Sequence, residues 1–146
     1  LMKHGGRDFV SGTPIDLNTY FNNAIDIHHI FPRAWCEKQK LPKDKWNSVI
    51  NKAPLAAGTN RFISGDAPSV YLGRIQKAKQ VPPTSLDEFL ASHVIPVAAL
   101  REDDFDAFIR LRAGALLTLI EAATGKTVSG RDSEDTVKAF GAALTP

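Results

Sequence analysis

The residues best suited to chemistry lie between Asp26 and Asp66, where two adjacent histidines, His28 and His29, are followed by two asparagines. The histidines end a β-branched segment, and adjacent side chains of an extended chain point to opposite faces. They therefore cannot share one task. One ring can coordinate a cation while its neighbour accepts a proton from water, and an ordinary pKa of ~6.5 suits histidine to both tasks. The alternative is a histidine pair that is only packed or solvent-exposed.

The two asparagines follow at a defined spacing. Asn51 lies 22 residues after His29, and Asn60 lies nine residues further on. We expect Gly58 and Thr59 to turn the chain so that Asn60 presents its amide oxygen to a hard cation. Imidazole and amide ligands with open water positions suit Mg²⁺ or Mn²⁺, and the histidine pair also admits Zn²⁺ or Ni²⁺. Taken alone, Asn60 is more simply a turn or helix-capping residue.

This combination of a histidine pair and two asparagines resembles the HNH, or ββα-metal, nucleases. In that superfamily the strand that carries the histidine is followed by a loop, a second short strand and a helix that supplies the last metal ligand. By position, the resemblance makes His29 the general base and His28 a metal ligand. It makes Asn51 the active-site asparagine that braces the loop, and Asn60 the last metal ligand. The implied activity is metal-dependent hydrolysis of DNA phosphodiesters by a nicking endonuclease.

Further segments bring the resemblance closer to the C-terminal HNH domain of GmrSD-type and SspE-type restriction proteins. They are His-His-Ile-Phe-Pro at 28–32, Ile-Ser at 63–64 and Pro-Ser-Val-Tyr-Leu at 68–72. Those proteins are bacterial phage-defence enzymes with an N-terminal nucleotide-hydrolysing domain. The resemblance implies that residues 1–146 are a single HNH nuclease domain, the C-terminal fragment of a larger restriction protein that has such a domain as its partner. Many relatives have aspartate in place of His28, which leaves the metal preference open.

Four residues near the motif are candidates for supporting roles. Asp26, two positions before His28, could orient a ligand ring or an arginine; the alternative is polarity of an exposed strand face. Arg33, Lys52 and Arg61 are candidates to bind substrate phosphates. The alternative for Arg33 is an ordinary surface arginine.

Positive charge is concentrated around the motif, although the whole chain carries a net charge of only +2. Residues 33–79 contain ten Lys or Arg and three acidic residues, a net charge of +7, whereas residues 80–146 carry −4 and residues 1–32 carry −1. Such asymmetry is typical of a polyanion-binding face with an acidic back. The alternative is that the lysines at 38–45 form a solvated loop. RNA is not distinguished from DNA, because a hydrolytic metal site needs no 2′-hydroxyl.

Composition limits the classes of protein to consider. A chain of 146 residues, 43% hydrophobic and 23% charged, is one globular domain rather than a disordered or collagen-like protein. The single cysteine, Cys36, cannot form an internal disulfide, which indicates a reducing cytoplasm. No apolar run approaches ~18 residues, so we expect no membrane role. Two other classes stay open: a catalytically silent nucleic-acid-binding module and a structural metal-binding domain.

The predicted fold is α+β and predominantly helical, with the ββα motif (residues 24–75) embedded in a helical domain (85–144). We expect a strand over 24–27 ended by Pro32, a short helix within 33–40 and a second strand over 53–57. Asp66 is expected to cap a helix to Lys79, and Ser85 to open a capping box for a helix ending near His93. Helical spacing predicts a core helix over 102–124 and a last helix over 133–144.

Other residues are predicted to have structural roles. We expect residues 1–23 to pack beside the first strand, with His4 on the surface. His93 is expected to be structural, and Cys36 a small apolar residue. Arginines 101, 110 and 112, on or near the core helix, are expected to be solvated or ion-paired.

Overall fold

The computed structural model describes residues 5–16, 18, 19 and 25–145. Within these residues the chain is α+β and predominantly helical, which confirms the predicted fold class. An antiparallel hairpin of β1 (Ile25–His29) and β2 (Lys52–Ala56) forms the sheet. Its register pairs Ile25 with Ala56 and His29 with Lys52, so both histidines lie where β1 leads into the connecting loop. His4 lies outside the described residues.

The connection between the strands contains short helical elements, namely α1 (Arg33–Lys38), α2 (Lys43–Trp46) and a 3₁₀ helix (Val49–Asn51). β1 ends at His29, and Pro32, three residues later, is the N-cap residue of α1, which begins at Arg33 within the predicted range. β2 passes without a loop into α3 (Ala57–Ile63). The order of elements over residues 25–63 is therefore strand, helical loop, strand and helix.

Helix α3 begins at Ala57, where the end of a strand and then a turn were predicted, and the N-terminal segment contacts its start. Gly58 and Thr59, expected to form a turn before Asn60, are already helical. The buried carboxylate of Asp8 accepts a hydrogen bond from the Thr59 hydroxyl at 2.7 Å and another from the Ala56 N–H at 3.1 Å. A carboxylate there satisfies donors that a helix start leaves free. Residues near Asp8 therefore pack at the end of β2, the strand that pairs with β1.

Residues 64–145 form the larger helical part of the molecule: α4 (Pro68–Lys79), α5 (Pro83–Ala91), α6 (Val97–Arg101), α7 (Phe105–Thr124) and α8 (Glu134–Phe140). Their apolar faces form a core with the loop after β1. The ring centroid of Phe31 lies 5.3 Å from that of Phe105 and 4.9 Å from that of Phe108. Tyr71 donates a hydrogen bond to the Ile30 carbonyl at 3.0 Å. Each fully buried side chain of this kind contributes roughly 1.5–3 kcal/mol, so the core fixes the end of β1 firmly.

The predicted cap of α4 is wrong. Ala67 occupies the N-cap position, and Asp66 instead accepts a hydrogen bond from Arg74 at 2.6 Å. Arg74 also donates to the carbonyls of Phe62 and Ile63, at 2.9 and 2.8 Å. Arg74 is half-buried and joins the end of α3 to α4.

The capping box predicted at Ser85 is also wrong. Helix α5 begins at Pro83, with Pro82 at the N-cap, so Ser85 already lies inside the helix. Proline favours the first turn of a helix because its φ is preset and it has no N–H to leave unpaired. The preference of Pro83 for the first turn competes with the capping signal at Ser85, and the helix begins at Pro83.

The long helix predicted over 102–124 begins at Phe105. Asp103 has a left-handed φ of 56°, which interrupts the helix after α6, and Asp104 caps α7 by accepting a hydrogen bond from the Ala107 N–H at 3.0 Å. Gly125 ends α7 with a φ of 66°, as predicted. No helix in the described ranges is long and apolar enough to span a membrane.

The C-terminal half of α7 is not the core helix that its spacing predicts. Leu116 and Leu119 are only half-buried, and Ile120 is 49% exposed. These side chains line an open, mainly apolar cavity of about 1020 Å³ between α7, the 3₁₀ helix and α8. The core prediction holds for the first half of the helix, where Phe105 and Phe108 are buried.

Candidate active site

A small cleft at the end of the hairpin brings together three of the four motif residues. It has a volume of about 260 Å³ and is lined by His28, His29, Pro32, Arg33, Ala34, Asn60, Ser64 and Gly65. The histidines come from the last two positions of β1, and Asn60 comes from α3, which follows β2 directly. The hairpin and its helix therefore place both histidines and Asn60 around one cavity, although they lie more than 30 residues apart in sequence.

His28 has a buried ring nitrogen that the protein leaves without a partner. Its side chain is 16% exposed, and Nε2 has no hydrogen-bond partner among the described residues. The Asp26 carboxylate, two positions earlier on the same strand, lies 4.0 Å from that nitrogen. Burial lowers the pKa of His28, and the opposing effect of Asp26 does not compensate. The ring is therefore neutral at neutral pH, the form in which imidazole binds metals.

His29 makes different contacts from its neighbour. Its Nε2 lies 3.1 Å from the Oδ1 of Asn47, and its ring meets the edge of Trp46 at a centroid distance of 5.5 Å. Asn47 follows α2 in the loop and was not predicted as a site residue. Asn47 is an exposed residue in a polar stretch, and its partner lies 18 residues away in sequence. No local pattern therefore marks it as a site residue.

Asn51 is fully buried and does not line the cleft. Its Oδ1 accepts a hydrogen bond from the Phe31 N–H at 2.8 Å, and its Nδ2 donates to the carbonyls of Phe31 and Trp46, at 3.0 and 2.8 Å. Its own carbonyl accepts from the Ile30 N–H at 2.9 Å. These bonds join the start of the loop, at Phe31, to its end, at Trp46 and Asn51. Asn51 therefore braces the loop and does not face the cleft where a substrate would bind.

Arg112 supports the same segment from the helical part, and the prediction of a solvated or ion-paired side chain is wrong for it. Its guanidinium is fully buried and donates to the carbonyls of Ile50 and Lys52, the residues on either side of Asn51. It also donates to the His93 carbonyl, at 3.0 Å from Nη2. Burial lowers the pKa of Arg112 to about 10, which still leaves it charged at neutral pH. A charged donor in the core thus joins α7 to the loop that carries the brace.

The three cations predicted to bind phosphate occupy different positions. Arg33 lines the cleft with 69% of its side chain exposed, and it pairs with Glu37 at 2.7 Å. Lys52 lies opposite His29 in the hairpin, and Arg61 is exposed next to Asn60 in α3. The side chains of Lys52 and Arg61 do not line the cleft. Only Arg33 is therefore placed at the candidate reaction centre itself.

The residues of the cleft fit a metal site in which the protein supplies few of the ligands. In the described part of the chain, no three His, Cys, Asp or Glu side chains are grouped so that they could hold a metal. The predicted set, His28 with Asn60, does not require such a group. A cation would give the buried His28 Nε2 the partner it lacks, and a cleft of about 260 Å³ has room for several waters at roughly 30 Å³ each. Magnesium usually keeps several of its waters in protein sites.

Cys36 is buried, and burial raises the pKa of its thiol to about 12. Its Sγ donates a weak hydrogen bond to the Phe31 carbonyl at 3.5 Å. A thiol that stays protonated is a poor nucleophile, in agreement with the prediction of a small apolar residue.

Comparison with known proteins gives a distant likeness. The chain is 28% identical over 117 residues to Uncharacterized protein MJ0686 of Methanocaldococcus jannaschii, a match that covers 66% of this chain and 20% of that protein. The matched region is thus about a fifth of the relative's length. No family model matches the chain, and no solved structure matches it significantly. The function must therefore be argued from the cleft.

Proposed function

We propose that this chain is a metal-dependent DNA endonuclease of the HNH, or ββα-metal, type. The observation that supports the proposal best is the cleft, where a neutral buried imidazole, a second imidazole and an amide meet beside an arginine. The order of strand, loop, strand and helix over residues 25–63 is the order expected for that superfamily. A structural or surface histidine pair would not require Asn60 and Arg33 to converge on the same cavity.

In this proposal the two histidines have the separate tasks expected from their sequence. His29 accepts a proton from the attacking water, which requires a neutral ring held in a fixed orientation. His28 and Asn60 hold the divalent cation, most simply Mg²⁺ or Mn²⁺, with Zn²⁺ or Ni²⁺ as alternatives. When bound, such a cation supplies stabilisation of the negative charge that develops on the phosphate and the leaving oxygen. The Asp26 carboxylate, 4.0 Å from His28 Nε2, is too distant for a hydrogen bond to the ring, and its proposed contribution is negative charge beside the cation.

A nucleic acid is the proposed substrate because residues 33–79, which include most of the motif, carry a net charge of +7, and the resemblance to the HNH nucleases makes DNA the expected polymer. In this proposal Arg33 binds the phosphate being cleaved, and Lys52 and Arg61 bind phosphates further along the strand. One active site of this kind cuts one strand at a time, so nicking is the expected activity. We further propose that the chain acts in a bacterial anti-phage restriction system in the cytoplasm, together with an N-terminal nucleotide-hydrolysing domain.

The test is conversion of supercoiled plasmid to open-circular and linear forms in the presence of Mg²⁺ or Mn²⁺. The native protein is compared with His29→Ala, His28→Ala and Asn60→Ala, with chelator as control. Loss of the general base should lower the rate on the order of 100-fold or more. Gln39→Ala is a matched control, because Gln39 is an exposed amide in the same loop that lies outside the cleft.

Other outcomes identify the competing functions. Plasmid binding without cleavage under any of these metals, and unaffected by His29→Ala, would indicate a catalytically silent nucleic-acid-binding module. A sharp loss of stability on addition of chelator, again without cleavage, would indicate a structural metal-binding domain. Cleavage of an RNA but not of plasmid would correct the substrate class.

A further inference from the structure

The contact between His29 and Asn47 assigns a role to a residue that the motif does not include. The acceptor atom in this contact is the Oδ1 of Asn47, 3.1 Å from His29 Nε2. With its Oδ1 towards His29, the Asn47 amide accepts a hydrogen bond, and the contact favours a hydrogen on Nε2. In a neutral imidazole the other nitrogen is then unprotonated. The contact thus points to Nδ1 as the atom of His29 that is free to take a proton.

We infer that Asn47 is a positioning residue, which holds the neutral His29 ring as its Nε2–H tautomer and leaves Nδ1 as the proton-accepting atom. The inference rests on the proposed function for its catalytic consequence, but the contact itself does not. Asn47 does not line the cleft, so its proposed action is through His29. The Trp46 ring also packs against the His29 ring, with centroids 5.5 Å apart.

The position of Asn47 is itself held by the core. Trp46, the residue directly before it, is buried, and its carbonyl accepts the hydrogen bond from Asn51 Nδ2 at 2.8 Å. The Asn47 N–H donates to the Lys43 carbonyl at 2.9 Å, so its backbone belongs to the end of α2. Asn51 therefore influences His29 through the loop: it fixes Trp46, and Trp46 fixes Asn47.

The first measurement is NMR of the ring N–H groups in the metal-free chain at about pH 8.5, where an ordinary histidine is neutral. In the native protein we expect a His29 N–H signal on Nε2 that is protected from exchange with water. Asn47→Ala should abolish that protection, whereas Asn47→Asp should keep it because a carboxylate oxygen is also an acceptor. Because Asn47 is exposed, the alanine variant leaves the buried contacts of the loop intact. A His29 hydrogen on Nδ1, or unchanged protection in Asn47→Ala, would overturn the inference.

The second measurement is plasmid nicking, analysed for kcat and KM separately. Asn47→Ala should lower kcat roughly ten-fold with little change in KM, because ring orientation matters for the reaction and not for phosphate binding. Asn47→Asp should recover most of kcat, and Gln39→Ala should match the native protein. An effect on KM alone would make Asn47 a DNA contact and overturn the positioning role. Absence of nicking by the native protein would overturn the nuclease, and the NMR signal would still decide whether Asn47 positions the ring.

Discussion

Two asparagines of the motif have opposite environments, and this separates their roles. Asn51 is fully buried and bonds to backbone atoms of Phe31 and Trp46 through both its oxygen and its nitrogen. Asn60 is half-buried and lines the cleft. Removing a buried partner leaves backbone groups unsatisfied, which costs about 1–3 kcal/mol per group. Removing a side chain that faces a cleft has no such cost.

We therefore predict that Asn51→Ala lowers the free energy of unfolding by about 2–4 kcal/mol, whereas Asn60→Ala changes it by less than about 0.5 kcal/mol. Both variants should lose plasmid cleavage. Urea denaturation of the metal-free proteins measures the difference. Asn51→Asp keeps the acceptor for the Phe31 N–H but turns a buried carboxylate oxygen towards the carbonyls of Phe31 and Trp46, so we expect it to be at least as unstable as Asn51→Ala. Equal losses of stability in Asn51→Ala and Asn60→Ala would contradict the separation of roles.

At the scale of the elements, the sequence predicts what is determined by local signals and fails where a distant residue intervenes. Pro32 and Gly125 mark boundaries correctly because proline and glycine act on their own backbone. The start of α3 was missed because Asp8 provides its partner from 48 residues away. Asn47 was missed for the same reason: its partner is close only after the loop has folded. His28, His29 and Asn60 were identified because a resemblance, rather than a local pattern, connected them.

Helix α7 is coupled to the loop through Arg112, and this gives an element-scale prediction. Arg112→Lys keeps the positive charge but lacks the planar fork that reaches the carbonyls of Ile50, Lys52 and His93 together. We expect it to lower the free energy of unfolding by about 2–3 kcal/mol, because buried carbonyls lose a charged donor. Arg110→Lys on the same helix is the matched control and should stay within about 0.5 kcal/mol. Chemical denaturation tests both variants, and similar stabilities would show that the fork does not hold the loop.

At the scale of the whole molecule, His93 joins the N-terminal segment to the helical part. Its Nε2–H donates to the Arg7 carbonyl at 2.8 Å, and its ring meets that of Phe9 edge-on at 5.3 Å. Its own carbonyl accepts the hydrogen bonds from Arg112. Burial lowers the pKa of His93 to about 4, which outweighs the opposite effect of the bond to Arg7. The predicted structural role of His93 agrees with these contacts, and the neutral ring is part of the native packing.

This lowered pKa predicts that acid destabilises the whole fold. The unfolded chain binds a proton at His93 with a pKa of ~6.5, whereas the folded chain does so only near 4. Between these values the unfolded state holds more protons, so the free energy of unfolding decreases as pH falls from ~6.5 towards 4. His93 should account for about 2–3 kcal/mol of that decrease.

His93→Gln retains a side-chain N–H for the Arg7 carbonyl but has no proton to gain, so its stability should fall less over the same window. Urea denaturation of both proteins at several pH values measures this difference. The carboxylates contribute equally to both proteins, so their effect cancels in the comparison. Parallel decreases in the two proteins would mean that His93 binds its proton as readily in the folded chain as in the unfolded chain.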